Sequence, residues 1–466
     1  MEIGAREGFG EREFGGAALG DRRRSERLVA VANRVMQHPD GTWPQKLSEP
    51  ADLEAFYRLM NRPEVTHAAV LAPHVAQTQQ RMRQQSGVVL VLHDTTELDY
   101  TTLKSIDLAP IGDGRGRGYL CHNSLAVTPE GEVLGLVNQI LFRRRRSAKR
   151  DCKRANIQGK GRASRLWKSG SEAVPRAPRG ALWVDIADRG SDVTEFLAYE
   201  ITAGKHFLVR SKVNRNVVLK GKTPKSMKLF EAVRQLPEQG RRPLHVSASA
   251  GYPARDTEVA MAFTTLQVVP PRQPRGEHGQ ELLTVWALRV WEPNPSARVE
   301  PIEWILLTNV AVETPEKAWE RVDWYKRRWT LEEYHKALKS GCSIEDMQFT
   351  SEGSLQPAIA LVSVTAVGIL WLRCTSRSPD AQTRRARERF PTAMIRVLSR
   401  WRWKNQPSRD DLTVHEFCLA LARLGGHQNR KHDGPPGWIT LWRGWTKLSW
   451  MTEGASKELE IQCDET

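Results

Sequence analysis

A chain of 466 residues with 70 Lys plus Arg against 54 Asp plus Glu carries a formal charge of +16 and a pI near 9.7. That length allows two or three domains with sizeable cores, and that charge favours a polyanionic partner, nucleic acid before membrane. No apolar run approaches the roughly 18–20 residues of a membrane span. The N-terminal MEIGAREGFGERE lacks the apolar centre of a signal peptide, and the six cysteines show no CxxC spacing, so neither a zinc site nor a disulfide framework is indicated. These features predict a soluble protein of the reduced cytoplasm.

Residues 1–80 read as helical. AALGDRRRSERLVAVANRVMQH has a helix start at Asp21 and apolar Leu28, Val29, Val31, Ala32 and Val35 at helical spacing. LEAFYRLMNR and AVLAPHVAQTQQRMRQ give two further helices. Arg22, Arg23, Arg24, Arg27, Arg58 and Arg62 suit either a DNA-reading helical module or a helical cap with a charged outer face.

The period changes at Gly87. GVVLVLHD is a continuous apolar run of the kind a buried strand shows, followed by strands in YLCHNSLAVT and VLGLVNQILF around the turn Pro129-Glu130-Gly131. The strongly basic stretch Arg143 to Arg165 reads as a loop that meets phosphate, or as a plain solvated run. A strand ending at Ile186, a helix from about Asp192 to Ala203 and the strand HFLVRSK come next. Residues 214–300 read as a β-rich insertion, and IEWILLTNV is one more strand. Beyond Ser354 the chain is helical: PAIALVSVTAVGILWLR is apolar nearly all round, a core or interface helix, and the last unit carries Trp438, Trp442, Trp445 and Trp450. Tryptophans so spaced serve packing more often than chemistry, although an exposed set suits a protein interface.

Pro315 opens a helix whose continuation, DWYKRRWTLEEYHKALKSG, is the pivot of the chain. Read as one helix, it sets Tyr325, Arg328, Glu332, Lys336 and Lys339 three, four, four and three residues apart, all on one face. The plain reading is a solvated face with an ordinary Glu332–Lys336 ion pair worth a few tenths of a kcal/mol. The sharper reading is a carboxylate ligand beside cations that grip phosphate. Asp94, where VVLVLH ends, and Asp188, just past LWVDI, offer the two further carboxylates, with Asp99, Asp185 and Asp192 as competitors. Such an all-oxygen site suits Mg²⁺ or Mn²⁺, and two ions can serve phosphoryl displacement. A lone Asp at a strand end is otherwise a turn former or a helix cap.

Tyr325, Arg328, Glu332 and Lys339 form Y-x2-R-x3-E-x6-K, and in this the chain resembles bacterial cut-and-paste insertion-sequence transposases of the IS-four group, transposon-five-like. LHDTTELDY around Asp94, DRGSDVTEFL around Asp188, FLVRSK at Arg210 and Lys212, and WILLTNVAVE at Trp304 are similar to the same family in the same order. So are AALGDRRRSERLVAVA near the N-terminus, including Arg27, and ARLGG with GWITLWRGW near the C-terminus. The resemblance thins at 143–180, 214–295 and 375–415.

The resemblance implies an α/β, ribonuclease-H-like catalytic core over 81–375 with the β insertion, flanked by a helical end-recognition domain over 1–80 and a helical dimerisation domain over 376–466. It implies a DDE triad of Asp94, Asp188 and Glu332 holding two Mg²⁺ or Mn²⁺ ions. Tyr325, Arg328, Lys336 and Lys339 then match contacts to the DNA backbone, and Trp304 matches a stacking partner for a flipped base. The expected partners are terminal inverted repeats, target DNA and a second protomer, in the bacterial nucleoid. The expected reaction is nicking, hairpin formation and opening, and strand transfer. A nuclease or resolvase on the same fold, and an inactive transposase-derived DNA-binding protein, are the alternatives.

Overall fold

A computed structural model of the chain describes residues 8–144, 163–219, 225–246, 254–271, 281–295, 300–404, 407, 409–430 and 433–464. The strands are β1 (Val88–Asp99), β2 (Ala109–Ile111), β3 (Gly116–Val127), β4 (Val133–Phe142), β5 (Leu182–Ala187) and β6 (His206–Arg210). They continue as β7 (Asn216–Leu219), β8 (Lys225–Lys228), β9 (Gly240–Val246), β10 (Arg255–Val268), β11 (Leu283–Trp291) and β12 (Glu303–Thr308). All join one mixed sheet in the order β2-β3-β1-β5-β6-β12-β11-β10-β7-β8, with β4 added on β3 and β9 on β10. β3 pairs antiparallel with both β4 and β1, whereas β1, β5 and β6 run parallel. The architecture is therefore mixed α/β, a large mixed sheet with helices flanking it.

The apolar run of β1 is continuous because both faces of the strand are covered. Val89 and Val91 enter one core with Met82, Leu134 and Trp183, while Leu90 and Leu92 enter the main core on the opposite face. The β-rich stretch after residue 214 is not a separate layer. β12 pairs antiparallel with β6, β11 pairs with β12, and β10 with β11, so the inserted strands prolong the same sheet.

The helix Glu352–Ser376 is the axis of the main core. By length and composition it could cross a membrane, yet 94% of its most apolar window is buried within the protein. It is apolar all round because it is surrounded: helices Pro50–Met60 and His67–Arg83, strand β4 and helices Val414–Leu424 and Trp438–Asp464 all pack on it. Each fully buried Leu, Ile or Val there contributes about 1.5–3 kcal/mol.

Among the described residues five helices, rather than three, occupy the N-terminal region, with Phe9–Phe14 and Trp43–Lys46 added to the expected ones. Both additions are a turn or so long, too short for a periodic pattern to reveal. Asp21 does cap Arg22–Gln37, accepting from Arg23 N at 2.9 Å. The C-terminal helix docks on that helix: Trp445 Nε1 donates to Met36 O at 3.1 Å, and Trp450 stacks on His38 at 3.8 Å. Trp438, Trp442 and Trp445 are buried inside the chain's own fold, and of the four only Trp450 is exposed.

Candidate active site

The parallel pairing of β1 with β5 ends at His93 and Ala187, so Asp94 and Asp188 are the next residues along two adjacent strands. β1 itself does not stop there. It continues against β3, with Asp94 opposite Asn123, which places Asp94 in mid-strand rather than at the strand end the sequence predicts. The polar residues after His93 still form a strand because β3 supplies a hydrogen-bonding partner throughout. Asp94 accepts from Thr95 N at 2.7 Å. Asp188 opens a short turn of 3-10 helix, Arg189–Ser191, and accepts from Gly190 N at 2.8 Å. Gly190 is required: a Cβ there would meet the Trp167 ring at 2.5 Å. The capping role expected of a strand-end aspartate is thus present at Asp188, beside its proximity to Asp94.

The pivotal stretch is not one helix. Pro315–Lys326 ends at Arg327, and a second helix, Trp329–Lys336, follows. Between them Arg327 N bonds Trp324 O and Arg328 N bonds Tyr325 O, both at 3.0 Å, a tighter winding than the α-helix. Arg327, outside the expected stripe, turns away from it and donates from Nε to Pro129 O at 2.6 Å. Ala337–Gly341 then widens into a π turn, closed by Cys342 N to Ala337 O at 2.9 Å. These two departures divide the predicted row of cations. Arg328 turns to the carboxylates, Lys336 lies over the exposed Trp329 ring at 5.1 Å, and Lys339 pairs with Glu345 at 3.0 Å.

Asp188 and Glu332 are each near enough to Asp94 to act on it electrostatically. The Asp94 carboxyl is pushed up to about 6 by burial, then by the charge of Asp188 and, more weakly, of Glu332, against the opposing Thr95 N–H and Arg328. Arg328 spans the group: Nη2 donates to Glu332 Oε1 at 2.5 Å, and Nη1 is 3.6 Å from Asp94 Oδ2. Burial works against that guanidinium's charge, but Tyr325, Glu332 and Asp94 together hold its pKa above the usual value. Among the described residues no three His, Cys, Asp or Glu side chains are gathered tightly enough to hold a metal as they stand. All three are oxygen donors, the type a hard divalent cation takes, and Asp94 is repelled by both Asp188 and Glu332 while Arg328 bridges Asp94 and Glu332.

The rival aspartates are otherwise engaged. Asp192 accepts from Ser211 Oγ, Lys212 N and Val213 N at 2.9, 2.7 and 2.8 Å and pairs with Arg215. Asp185 faces His93 at 3.3 Å and Lys205 at 3.9 Å, and Asp99 accepts from Thr101 N at 2.9 Å.

Trp304 is half-buried on β12, edge-on to Tyr325 at 5.6 Å between ring centres. Arg210 lies 5.9 Å from the same ring, and Arg210 and Arg328 both oppose the rise that burial gives the Tyr325 phenol. Trp304, Tyr325, Arg210 and Arg328 therefore form one aromatic and cationic wall beside the carboxylates. Lys212 is exposed, with its backbone fixed by Asp192. Arg27 belongs to the N-terminal helix Arg22–Gln37, where it pairs with Asp52 at 2.9 Å. Residues 145–162 of the basic stretch lie outside the described residues.

Sequence reasoning missed two features. Trp329 is 53% exposed on the helix that carries Glu332, offering an aromatic face; a tryptophan among charged residues was its only signal. Asn123 Nδ2 lies 3.1 Å from His335 Nε2, Gln139 Nε2 donates to Asn123 Oδ1 at 2.7 Å and to Ser363 Oγ at 2.9 Å, and His67 meets Gln139 Oε1 at 2.9 Å. That polar chain fixes the carboxylate-bearing helix to β3, β4 and the central helix, and nothing local in sequence announces it. Burial, with Lys339 and Arg328, pushes His335 down to about 3.

Residues 6–65 match the family model described as transposase DNA-binding. The match covers the N-terminal helices through Pro50–Met60 and supports a transposase with DNA as its partner.

Proposed function

We propose that the protein is a DDE transposase that carries out cut-and-paste transposition on a ribonuclease-H-like core. One observation carries the reading: Asp94, Asp188 and Glu332 share one electrostatic site at the end of the parallel β1–β5 pairing, in a chain whose N-terminus matches a transposase DNA-binding module. The strand order β4-β3-β1-β5-β6, antiparallel for three strands and parallel for the last two steps, supports the core assignment.

Asp94, Asp188 and Glu332 would hold Mg²⁺ or Mn²⁺, which supplies Lewis acidity for attack by water or a 3′-hydroxyl on a phosphodiester. Arg328, which reaches Asp94, and its neighbour Tyr325 would bind the phosphates flanking the scissile bond and orient it. Trp304, with Arg210 against its ring, offers a stacking partner for a base turned out of the duplex. The test is incubation of the full chain with linear DNA carrying the inverted repeats that bound its reading frame, plus a supercoiled target. Nicks at the repeat ends and repeat-ended strands joined to the target are expected with Mg²⁺. Cleavage without joining would make the protein a nuclease, and binding without cleavage a DNA-binding relative.

A further inference from the structure

A second cationic feature lies behind the carboxylate-bearing helix. A cleft of about 610 Å³ opens between the β3–β4 turn, the end of the helix Glu352–Ser376 and the start of the helix Val414–Leu424. Arg327, Arg373, Arg377, Arg384 and Arg389 line it, against Glu130, Glu132 and Asp380. Some of this charge is already matched: Arg384 pairs with Asp380 at 2.9 Å and Glu388 at 3.2 Å, and Arg373 pairs with Glu333. The rest is not. Arg327 bonds only the carbonyl of Pro129, at 2.6 Å, and Arg377 only that of Pro436, at 3.3 Å, and neither is ion-paired among the described residues. Arg373 keeps a buried Nε with no hydrogen-bond partner. Burial and the neighbouring Arg373 press the Arg377 guanidinium below its usual value, against the smaller opposing effect of Glu333.

Guanidiniums from three different segments converging on one polar cleft are suited to a tetrahedral oxyanion, which accepts several N–H bonds in fixed geometry. Arg327 and Arg328 are neighbours in the chain, and their side chains diverge, one to this cleft and one to the carboxylates. A group held in the cleft therefore sits on the far side of the same turn that faces the reacting strand.

We propose that the arginine-lined cleft behind Arg327 is a phosphate-binding site, separate from the carboxylate site, that takes a backbone phosphate of DNA passing behind the helix or a free phosphoryl anion. Only the choice of DNA as the source rests on the transposase reading. A phosphate there accepts from the Arg327 and Arg377 guanidiniums, which carry no ion pair among the described residues. Held through DNA, it anchors the duplex at a second point beside the site of strand cleavage.

The test reads binding, not cleavage, and so is independent of whether the carboxylates act. The full chain, with Arg327→Ala, Arg377→Ala and the double variant, is titrated with an arbitrary-sequence DNA duplex across a salt series, and melted with and without inorganic pyrophosphate. If DNA is the source, each single variant flattens the slope of log affinity against log salt by about one, and the double variant by about two. If a free phosphoryl group is the source, the slopes stay parental while pyrophosphate raises the melting temperature of the parent but not of the double variant. Parental slopes together with an unchanged response to pyrophosphate would overturn the proposal. A fall in melting temperature with neither binding effect would also overturn it, and would leave these arginines as structural partners of the Pro129 and Pro436 carbonyls.

Discussion

Arg328 is the cation that stands between the carboxylates, and its removal exposes what they are for. The gross attraction of Arg328 for Asp94 across 3.6 Å is about 5 kcal/mol at an effective dielectric near 20. Solvent at the partly exposed Glu332 end, and relaxation of the freed carboxylates, cut the net value to about 1–3 kcal/mol. Arg328→Ala should therefore melt earlier than the parent in chelator, because Asp94, Asp188 and Glu332 then repel one another with nothing between them. Mg²⁺ should restore more stability to the variant than to the parent, since the ion no longer competes with a guanidinium. At 1.4 kcal/mol per decade, the Mg²⁺ midpoint should fall by roughly tenfold. The assay is thermal melting across a Mg²⁺ titration, with Asp94→Ala as the control that loses the response. Equal midpoints in Arg328→Ala and parent, or no Mg²⁺ effect in either, would refute the claim that these carboxylates form a cation site.

Further predictions concern binding, base stacking, positioning and acid stability. Asp94→Ala, Asp188→Ala and Glu332→Ala should each abolish cleavage yet bind DNA within a few-fold of the parent in gel shifts, because DNA recognition rests on phosphate contacts elsewhere. Trp304→Ala should make the first nick at the parental rate and form or resolve hairpins more slowly, with an abasic nucleotide at the flipped position restoring much of the rate. An unchanged hairpin rate would return Trp304 to a packing role. Asn123→Ala should lower the cleavage rate while leaving the melting temperature within a few degrees, because it loosens His335 and the helix bearing Glu332; a loss of folding alone would contradict this. Burial alone would raise the Glu13 carboxyl, but His74 and Arg81, both at 2.6 Å, hold it at about 2. A carboxyl depressed from 4.5 stabilises the fold above that pH and loses its contribution as pH falls towards 2, roughly 3 kcal/mol in all. The stability gap between parent and Glu13→Gln should accordingly close across that window in acid denaturation curves.

The parts of this site that sequence alone revealed are those with a local physical signature. The run VVLVL ahead of Asp94 is apolar at every position, and LWVDI ahead of Asp188 at every position but Asp185, because both sheet faces are covered, and the change to polar residues marks where the parallel pairing ends. Glu332, Arg328 and Tyr325 were visible through spacing, which a helix converts into proximity. What stayed hidden depends on distant partners. The break at Arg327 answers to a carbonyl at Pro129, and the continuation of β1 past Asp94 answers to β3. The inward set of Trp438, Trp442 and Trp445 depends on the N-terminal helix and the central helix lying against them. Spacing likewise could not show that Lys336 would turn to Trp329 and Lys339 to Glu345. The arginines of the second cleft come from separated segments, and only the folded chain assembles them.

The most direct measurement of the central claim replaces the oxygen ligands by sulfur. Asp94→Cys and Asp188→Cys place a thiolate, a softer donor than carboxylate, where a metal ligand is expected. Cleavage of inverted-repeat DNA is then compared in Mg²⁺ and in Mn²⁺. If the two aspartates bind the catalytic ions, both variants should be inactive with Mg²⁺ and regain cleavage with Mn²⁺, while the parent works with either. Cleavage by the variants in Mg²⁺ at the parental rate would contradict the assignment of Asp94 and Asp188 as the metal ligands.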